Sequence, residues 1–406
     1  RFQNFNGINW TDRVYYAALI ITPESKYPEP VFLTRGNFLE GKGHRYYQRS
    51  IGSKTQEGQS YQQFWQPIQQ RLQKIYPQAK KLFVSLDGVY HRLNLETLWS
   101  PTTKQYLGEM IDIQIVSNTK DLLKRSPRQD QVKMTHQRAV LFGYPDYKQF
   151  NPQPLSAGNT QTPERYGTYL NTSEKRALED GFDGKNIPNL PHTKAEVQNV
   201  QKLLSKTLSS TAYLGKDATE ENLKAVRNPA ILHLATHGFF LEDDDLDRLK
   251  KKDQFRLGSL ELKEYYANPL MRSGLVWTGA EATFKALPRP QNVQEDGVLT
   301  AQEVLNMTLD STDLVVLSAC ETGKGKIESG QRVYGLQRAF LSAGAKNVLM
   351  SLWKVDDEAT QWFMRYFYQD LVQHQNIRRA YRTAQQRLRK KYPAPYHWGA
   401  FVLVSR

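Results

Sequence analysis

The sequence predicts an α/β protein whose core is a mainly parallel β-sheet covered by helices on both faces. Short apolar segments rich in β-branched residues alternate with longer segments of helical periodicity, which is the pattern of such folds. Apolar residues make up 39 % of the 406 residues and aromatic residues 11 %, so the chain can form a substantial core and is not disordered throughout. This length suits one large or two medium domains.

The N-terminal part of the chain alternates between strand and helix patterns and then becomes rich in proline and glycine. No periodicity is sustained from Pro145 to Pro191, so this segment is expected to be a linker or a long surface loop. The predicted elements before it are strands at about 13–21, 30–35, 81–86, 111–116 and 139–143, and a helix at about 59–76.

A second α/β block follows this segment. Thr193 is expected to cap a helix that ends near Lys206, because Glu196 stands three residues later as in a capping box. The insertion at 239–295 contains the acidic run 242–247 and is expected to be a solvated loop. The other predicted elements are a helix that begins at Thr219, strands at 231–236, 313–319, 347–352 and 399–404, and helices at 332–342, 357–373 and 376–391.

Two of these strands end at chemically reactive side chains. The strand at 231–236 leads into His237 and Gly238, and the strand at 313–319 leads into Cys320, the single cysteine of the chain. Open parallel sheets form their ligand sites at the carboxyl ends of the strands, so we expect the imidazole and the thiol to lie side by side there. A cysteine beside a histidine is the minimal nucleophile–base pair for acyl transfer.

These residues also have simpler interpretations. A lone cysteine is most often a small core hydrophobe, and Cys320 taken alone favours that interpretation. His233 and His237 are four residues apart, but the pair lacks the glutamate of the zinc-binding helix motif and lies on a strand pattern. His233 is therefore interpreted as a hydrogen-bonded core residue, and neither a metal nor another cofactor is predicted.

Several segments around these residues resemble the CHAT family of caspase-like cysteine peptidases, which is related to separase. The most informative of them are Leu-His-Leu-Ala-Thr-His-Gly at 232–238 and Leu-Val-Val-Leu-Ser-Ala-Cys-Glu-Thr-Gly at 314–323. The other similar segments are at 86–94, 143–146, 296–303, 335–344, 351–357 and 396–403. Their number and their order along the chain make the resemblance strong.

The resemblance implies a caspase-like three-layer α/β/α sandwich built from two tandem units. Residues 1–165 would form a pseudo-caspase-like unit, followed by a linker to about residue 190. Residues 191–406 would form the active caspase-like peptidase unit. In that unit, Cys320 would be the nucleophile and His237 the base, and the backbone N–H groups of Gly238 and Cys320 would form the oxyanion hole.

The same resemblance implies specificity for a basic residue. In the similar separase motif, an aspartate at the position of Asp357 receives the P1 arginine, so Asp357 would lie at the bottom of a P1 pocket. Asp356 stands beside it, and both acids also suit a helix N-terminus, where the helix dipole favours negative charge. Ser318 would line the same pocket, or it is a small strand residue without such a role.

The strand that ends near Trp353 is expected to present an edge beside the cleft. An extended substrate would then pair with the backbone at Ser351 and Trp353 by strand addition. Trp353 would form the wall of a subsite, although a core position is an equally good interpretation of this aromatic side chain.

The formal net charge of +14 requires nucleic-acid binding to be considered. The densest basic run is 378–391, where apolar residues at helical spacing indicate an amphipathic helix with a solvated basic face. No zinc finger, RNP motif or recognition-helix pair accompanies it, so solvation or docking of an acidic protein is favoured over a nucleic-acid partner. No apolar stretch reaches membrane-spanning length and no signal peptide is evident, so no membrane association is predicted.

The sequence therefore predicts a cytoplasmic cysteine endopeptidase that cleaves protein substrates after a basic residue, preferably arginine. One cysteine cannot form an internal disulfide and suits a reducing compartment. Because residue 1 is Arg1, the chain is expected to be a fragment, and the resemblance implies upstream tetratricopeptide repeats or another regulatory partner. The alternative is a catalytically silent caspase-like interaction scaffold, and the presence of both His237 and Cys320 argues against it.

Overall fold

The computed structural model describes residues 1–5, 10–124, 129–132, 137–148, 187–240, 268–284, 295–319, 334–354 and 356–406. The strands are β1 (Phe2–Phe5), β2 (Trp10–Ile20), β3 (Glu29–Leu33), β4 (Lys81–Ser85), β5 (Trp99–Ser100), β6 (Gln105–Tyr106), β7 (Asp112–Val116), β8 (Arg138–Pro145), β9 (Ser209–Gly215), β10 (Ile231–Ala235), β11 (Gly238–Phe240), β12 (Ser273–Val276), β13 (Val298–Thr300), β14 (Leu314–Leu317), β15 (Asn347–Ser351) and β16 (Phe401–Ser405). The helices are α1 (Gly36–Phe38), α2 (His44–Gly52), α3 (Gln59–Phe64), α4 (Gln66–Ile75), α5 (Leu107–Met110), α6 (Pro191–Leu204), α7 (Glu220–Lys224), α8 (Ala280–Phe284), α9 (Ala301–Val304), α10 (Tyr334–Ser342), α11 (Asp357–His374), α12 (Ile377–Lys391) and α13 (Pro395–Trp398). No helix in these segments is long and apolar enough to cross a bilayer.

An eight-stranded sheet lies at the centre of the described structure. Its strand order is β4-β7-β16-β15-β14-β10-β8-β9. The strands from β15 to β9 run parallel to one another, and so do β4, β7 and β16, while the β15–β16 pair is antiparallel. The predicted mainly parallel sheet is therefore confirmed. The carboxyl ends of β8, β10, β14 and β15 share one edge of it, and this edge positions the candidate site.

Helices cover both faces of this sheet, which confirms the three-layer α/β/α prediction. Along β10, Ile231 and Ala235 belong to a hydrophobic cluster on one face, whereas Leu232 and Leu234 belong to a cluster on the other. The first cluster includes side chains of α6, α11 and α12, and the second includes side chains of α7, α9 and α10. A strand buried on both faces must be apolar at nearly every position, which explains the continuous apolar runs in the sequence.

The N-terminal part of the chain packs around a third hydrophobic cluster. This cluster joins the antiparallel sheet β1-β2-β3 and helices α2 to α4 to Ile113 of β7, a strand of the central sheet. Trp353, which follows β15, packs against this cluster and against both clusters of the central sheet. The division into units at 1–165 and 191–406 stays a prediction.

Most predicted elements have the predicted type and end within a few residues of the predicted bounds. The helix predicted at 59–76 is divided into α3 and α4 at Trp65. The predicted cap at Thr193 is wrong, because α6 begins earlier with Pro191 in its first turn, where a missing N–H costs nothing. The Thr193 hydroxyl instead donates a hydrogen bond to the Leu190 carbonyl, with an O···O distance of 2.7 Å.

The described part of the 239–295 insertion is not a solvated loop. There β12 pairs antiparallel with both β11 and β13, forming a second sheet that continues the chain after β10. Leu275 and Trp277 are fully buried in the cluster on the second face of the central sheet. The acidic run 242–247 lies outside the described residues. The sequence pattern concealed this sheet because its strands are only three or four residues long.

The basic helix α12 is held by ion pairs within the protein. Arg378 is buried, and its guanidinium lies 2.9 Å from Glu96 Oε1 and 2.7 Å from Asp112 Oδ1. Four other basic side chains of the helix also have acidic partners: Arg379, Arg382, Arg389 and Lys391. The prediction of a solvated basic face is therefore wrong for Arg378. The positive charge of the other four side chains is partly neutralised by their acidic partners, so helix α12 offers less positive charge to a nucleic acid or an acidic protein.

Replacing Arg378 by leucine is expected to destabilise the protein by about 3–5 kcal/mol, because the buried Glu96 carboxylate would lose its cation and Asp112 would keep only Arg382. Arg387 lies on the same helix with an exposed side chain, so Arg387→Leu is the matched control and should change stability by less than about 0.5 kcal/mol. Chemical denaturation of the three proteins would test this. Equal midpoints for Arg378→Leu and Arg387→Leu would contradict it.

Candidate active site

His237 lies where the chain leaves the central sheet. Strand β10 ends at Ala235, and β11 begins at Gly238 in the second sheet, opposite Leu275. The backbone between the two sheets is held by a hydrogen bond from the Val276 N–H to the His237 carbonyl, 2.9 Å long. The His237 side chain is buried at this junction, at the carboxyl edge of the central sheet.

The imidazole of His237 is oriented by a backbone carbonyl. His237 Nε2 lies 2.8 Å from the oxygen of Pro188, which can only accept a hydrogen bond. This contact places a proton on Nε2 and leaves Nδ1 as the basic nitrogen of the neutral ring. The Tyr147 ring packs against the imidazole with centroids 5.4 Å apart, and its hydroxyl lies 3.1 Å from Thr236 Oγ1. Pro188 was not identified from the sequence, because a contact made by a backbone carbonyl leaves no signature in residue types.

The strand that leads to Cys320 is the direct neighbour of β10. Strands β10 and β14 are paired in parallel from Ile231 with Leu314 to Leu234 with Leu317, so His237 and Cys320 each follow the last paired residue by three positions. Adjacent strands are about 4.8 Å apart. The Ser318 N–H donates to the Leu234 carbonyl at 2.8 Å, which extends this pairing.

Cys320 itself lies outside the described residues, as do residues 321–333. The chain is described as far as Ala319, whose carbonyl accepts a hydrogen bond from Ser351 Oγ at 3.2 Å. The nucleophile–base pair and the oxyanion hole at Gly238 and Cys320 therefore stay predictions. The topology brings their strands together at one edge.

The expected substrate edge at β15 is wrong. Strand β15 is paired with β14 on one side and with β16 on the other, and Ser351 stands opposite Phe401. Beyond it, the Leu352 N–H donates to the Ala400 carbonyl at 2.8 Å. Trp353 is partly buried, and its indole N–H donates to the Tyr396 carbonyl at 2.9 Å. Backbone for strand addition is thus left only from Trp353 onward.

Asp356 and Asp357 begin helix α11 and have different surroundings. Asp356 is the N-cap residue, and its Oδ1 accepts from the Ala359 N–H at 2.8 Å while Oδ2 lies 2.9 Å from His397 Nδ1. Both of its oxygens are therefore engaged. Asp357 has one ion pair among the described residues, between Oδ2 and His192 Nε2 at 3.0 Å. Its side chain is 52 % exposed, so this carboxylate is not buried, and its role in a P1 pocket stays a prediction.

Asp357 and His237 lie near the same edge of the sheet. Pro188 contacts His237, and His192, only four residues later, contacts Asp357. Four residues span at most about 14 Å even when fully extended. The segment 188–192 therefore connects the two side chains, and neither Pro188 nor His192 was identified from the sequence.

His233 occupies the interior of β10, as predicted. It is fully buried, with Nε2 3.1 Å from Glu196 Oε1 and Nδ1 3.0 Å from the Tyr368 hydroxyl. These contacts join β10 to α6 and α11. His233 is thus a structural residue that links these three elements.

We expect His233→Gln to lower stability by roughly 1–3 kcal/mol, because a buried carboxylate of Glu196 or hydroxyl of Tyr368 would lose its partner. Turnover per folded molecule should change little. Thermal unfolding and active-site titration would separate the two effects, with His374→Gln at the partly exposed end of α11 as the control. A folded, inactive His233→Gln protein would contradict this assignment.

One cluster of carboxylates among the described residues has the spacing of a metal site. Glu220, Glu295 and Glu303 place ligand oxygens within 4.8 Å of one another. The Lys224 ammonium lies among them, 2.6, 2.6 and 2.8 Å from these three carboxylates respectively. The lysine thus supplies the cation of this cluster. Burial raises the pKa of Glu220 well above its usual value, and Glu303 raises it further.

Comparison with known proteins identifies a family that matches most of the chain and relatives that match half of it or less. The profile of the CHAT domain matches residues 58–406. Tetratricopeptide repeat protein 28 of Mus musculus is 26 % identical over 227 residues, which are 50 % of this chain and 8 % of that protein. Tetratricopeptide repeat protein 28 of Homo sapiens is 35 % identical over 110 residues, or 27 % of this chain and 4 % of that protein. The chain therefore spans only a small part of these relatives.

Two solved structures also resemble the chain at low identity. The Arg-specific cysteine proteinase gingipain R (RgpB) has a TM-score of 0.42 and 10 % identity, covering 91 % of this chain and 73 % of that one. The complex of the pro- and mature domains of RgpB from Porphyromonas gingivalis has a TM-score of 0.43 and 10 % identity, covering 91 % and 74 %.

Proposed function

The chain belongs to the CHAT-domain family, and from this we propose that it is a cysteine endopeptidase with His237 and Cys320 as its catalytic dyad. The observation that carries the proposal is the parallel pairing of β10 with β14, which brings the segments that end at these two residues to one edge of the sheet. The buried, oriented imidazole of His237 supports it. A catalytically silent scaffold would keep this strand pairing as part of its fold, but it would have no need of an oriented imidazole at the carboxyl edge.

In this mechanism His237 Nδ1 takes the proton of the Cys320 thiol, and the thiolate sulfur attacks the scissile carbonyl carbon. The tetrahedral oxyanion is bound by the N–H groups of Gly238 and Cys320. The imidazolium then protonates the leaving amine, the C–N bond breaks and an acyl-enzyme remains. Water, deprotonated by the same imidazole, releases the acid and restores the thiol.

The Pro188 carbonyl has a defined part in these steps. It accepts from Nε2–H of His237 in both protonation states of the ring. It therefore keeps Nδ1 as the proton-accepting atom and stabilises the positive charge of the imidazolium. An acidic side chain as a third member of the site is not required.

We place the P1 pocket at Asp357 and propose cleavage after a basic residue, with arginine preferred. Of the two acids at this helix start, Asp356 uses both oxygens within the protein, and Asp357 has capacity for a substrate cation. Ser318 and Trp353 complete the proposed substrate contacts, with pairing limited to the backbone from Trp353 onward. Ser351 is left out because it pairs with Phe401 of β16 and its hydroxyl donates to the Ala319 carbonyl. The proposed setting is a reducing, cytoplasmic one, with tetratricopeptide repeats as the proposed regulatory partner.

The alternative function is a catalytically silent caspase-like scaffold. Labelling with a peptidyl-arginine chloromethylketone distinguishes the two, because alkylation requires a reactive thiolate beside a site that binds arginine. Wild-type protein should be labelled at Cys320 and protected by an arginine peptide, whereas Cys320→Ala should not be labelled. Absence of labelling in folded wild-type protein would favour the scaffold.

A further inference from the structure

The proposed P1 aspartate is already paired with a histidine of this chain. His192 Nε2 lies 3.0 Å from Asp357 Oδ2, and no other ion pair reaches Asp357 from the described residues. We infer that His192 is a specificity-determining residue that competes with the basic side chain of the substrate for Asp357. The inference rests on the proposed function, since it assigns a role at the same P1 site.

The competition acts differently on arginine and lysine. A guanidinium gains its advantage by donating two parallel hydrogen bonds to both carboxylate oxygens, whereas an ammonium needs only one oxygen. His192 occupies Oδ2 of Asp357. Arginine must therefore displace the imidazole to bind bidentately, while lysine can use Oδ1 beside it. His192 reduces the margin by which arginine is preferred over lysine.

The surroundings of the pair allow this displacement. The side chains of His192 and Asp357 are 51 % and 52 % exposed, so the ring can turn into solvent without unpacking the core. The neighbouring pair is different: the His397 side chain is only 9 % exposed and packs against the rings of Tyr392 and Tyr396. The histidine next to Asp356 is therefore held in place, and only the partner of Asp357 is exchangeable.

The segment that carries His192 also determines which kinetic constant should change. Pro188, which contacts His237, lies four residues before His192. The backbone at the start of α6, which joins Pro188 to His192, is held by the hydrogen bond from the Thr193 hydroxyl to the Leu190 carbonyl. Turning the His192 ring therefore leaves the Pro188 carbonyl in place. We expect His192 to influence substrate binding, and hence KM, rather than kcat.

The test compares matched peptides with arginine or lysine at P1 in wild type, His192→Ala and His192→Gln. Removing the competing donor should raise the Arg/Lys ratio of kcat/KM about 3- to 10-fold, mainly through a lower KM for arginine. Glutamine keeps a neutral donor and should raise the ratio less. Gln198→Ala, an exposed position on the same helix, should match wild type.

The possible outcomes distinguish failure of the role inferred for His192 from failure of the proposed peptidase function. If wild type cleaves and His192→Ala leaves the Arg/Lys ratio unchanged, the inference is wrong and the proposed function stands. An equal change in kcat for both peptides would also overturn it, because His192 would then act through Pro188 and His237. If folded wild type cleaves neither peptide, the proposed function fails and the inference with it.

Discussion

Replacing Cys320 or His237 by alanine should lower kcat for peptide cleavage by roughly 10⁴-fold or more. Without Cys320 there is no nucleophile, and without His237 most of the thiol stays protonated near neutral pH. Because the two residues act as one unit, the double variant should be no worse than either single variant. Initial rates on a peptide with arginine at P1, measured for all four proteins, would test this.

The two variants need different controls for folding. Cys320→Ala removes only one sulfur atom, so the variant should melt at the wild-type temperature. His237 is buried and bonded to the Pro188 carbonyl, so His237→Ala must first be shown to retain its near-ultraviolet circular dichroism. Wild-type activity in Cys320→Ala would end the peptidase proposal and leave the scaffold.

Replacing Asp357 by asparagine should reduce kcat/KM for arginine peptides by about 10- to 100-fold relative to peptides with a neutral P1 residue. The reason is the loss of a charge-assisted hydrogen bond, which contributes about 1.5–3 kcal/mol. The carboxylate is half exposed, so screening by water places the expected loss toward the lower end. The dyad of this variant should still react with a small thiol reagent.

Asp356→Asn is the matched control for Asp357→Asn. Asparagine caps a helix about as well as aspartate, so the bond to the Ala359 N–H can persist, and only the charge beside His397 is lost. The arginine-to-neutral ratio should then change much less than in Asp357→Asn. An unchanged ratio in Asp357→Asn would move the P1 pocket elsewhere, with the acidic run 242–247 as the next candidate.

Local patterns in the sequence predicted the central strands because burial on both faces leaves so few residue types available. They predicted β10, β14 and the position of His237 just beyond β10, whereas the position of Cys320 stays a prediction. These local patterns were wrong where contacts with residues distant in the chain determine whether a side chain or a strand edge is exposed. The basic run 378–391 has the pattern of a solvated face, yet Arg378 is buried against acids more than 260 positions earlier in the chain. Similarly, a strand shows no sign in its own residues of whether a later strand covers its edge, as β16 covers β15.

The sequence alone determined the α/β class, the chain order of the strands, and the chemistry available at His237, Cys320 and Asp357, because side-chain type and periodicity are local properties. Only the tertiary structure decided that Pro188 orients His237, that His192 occupies Asp357, and that Asp356 is saturated by a helix cap and His397. These contacts join a backbone carbonyl or an exposed side chain to a residue distant in the chain. Such contacts depend on how the elements pack, and they leave no periodic pattern in the sequence.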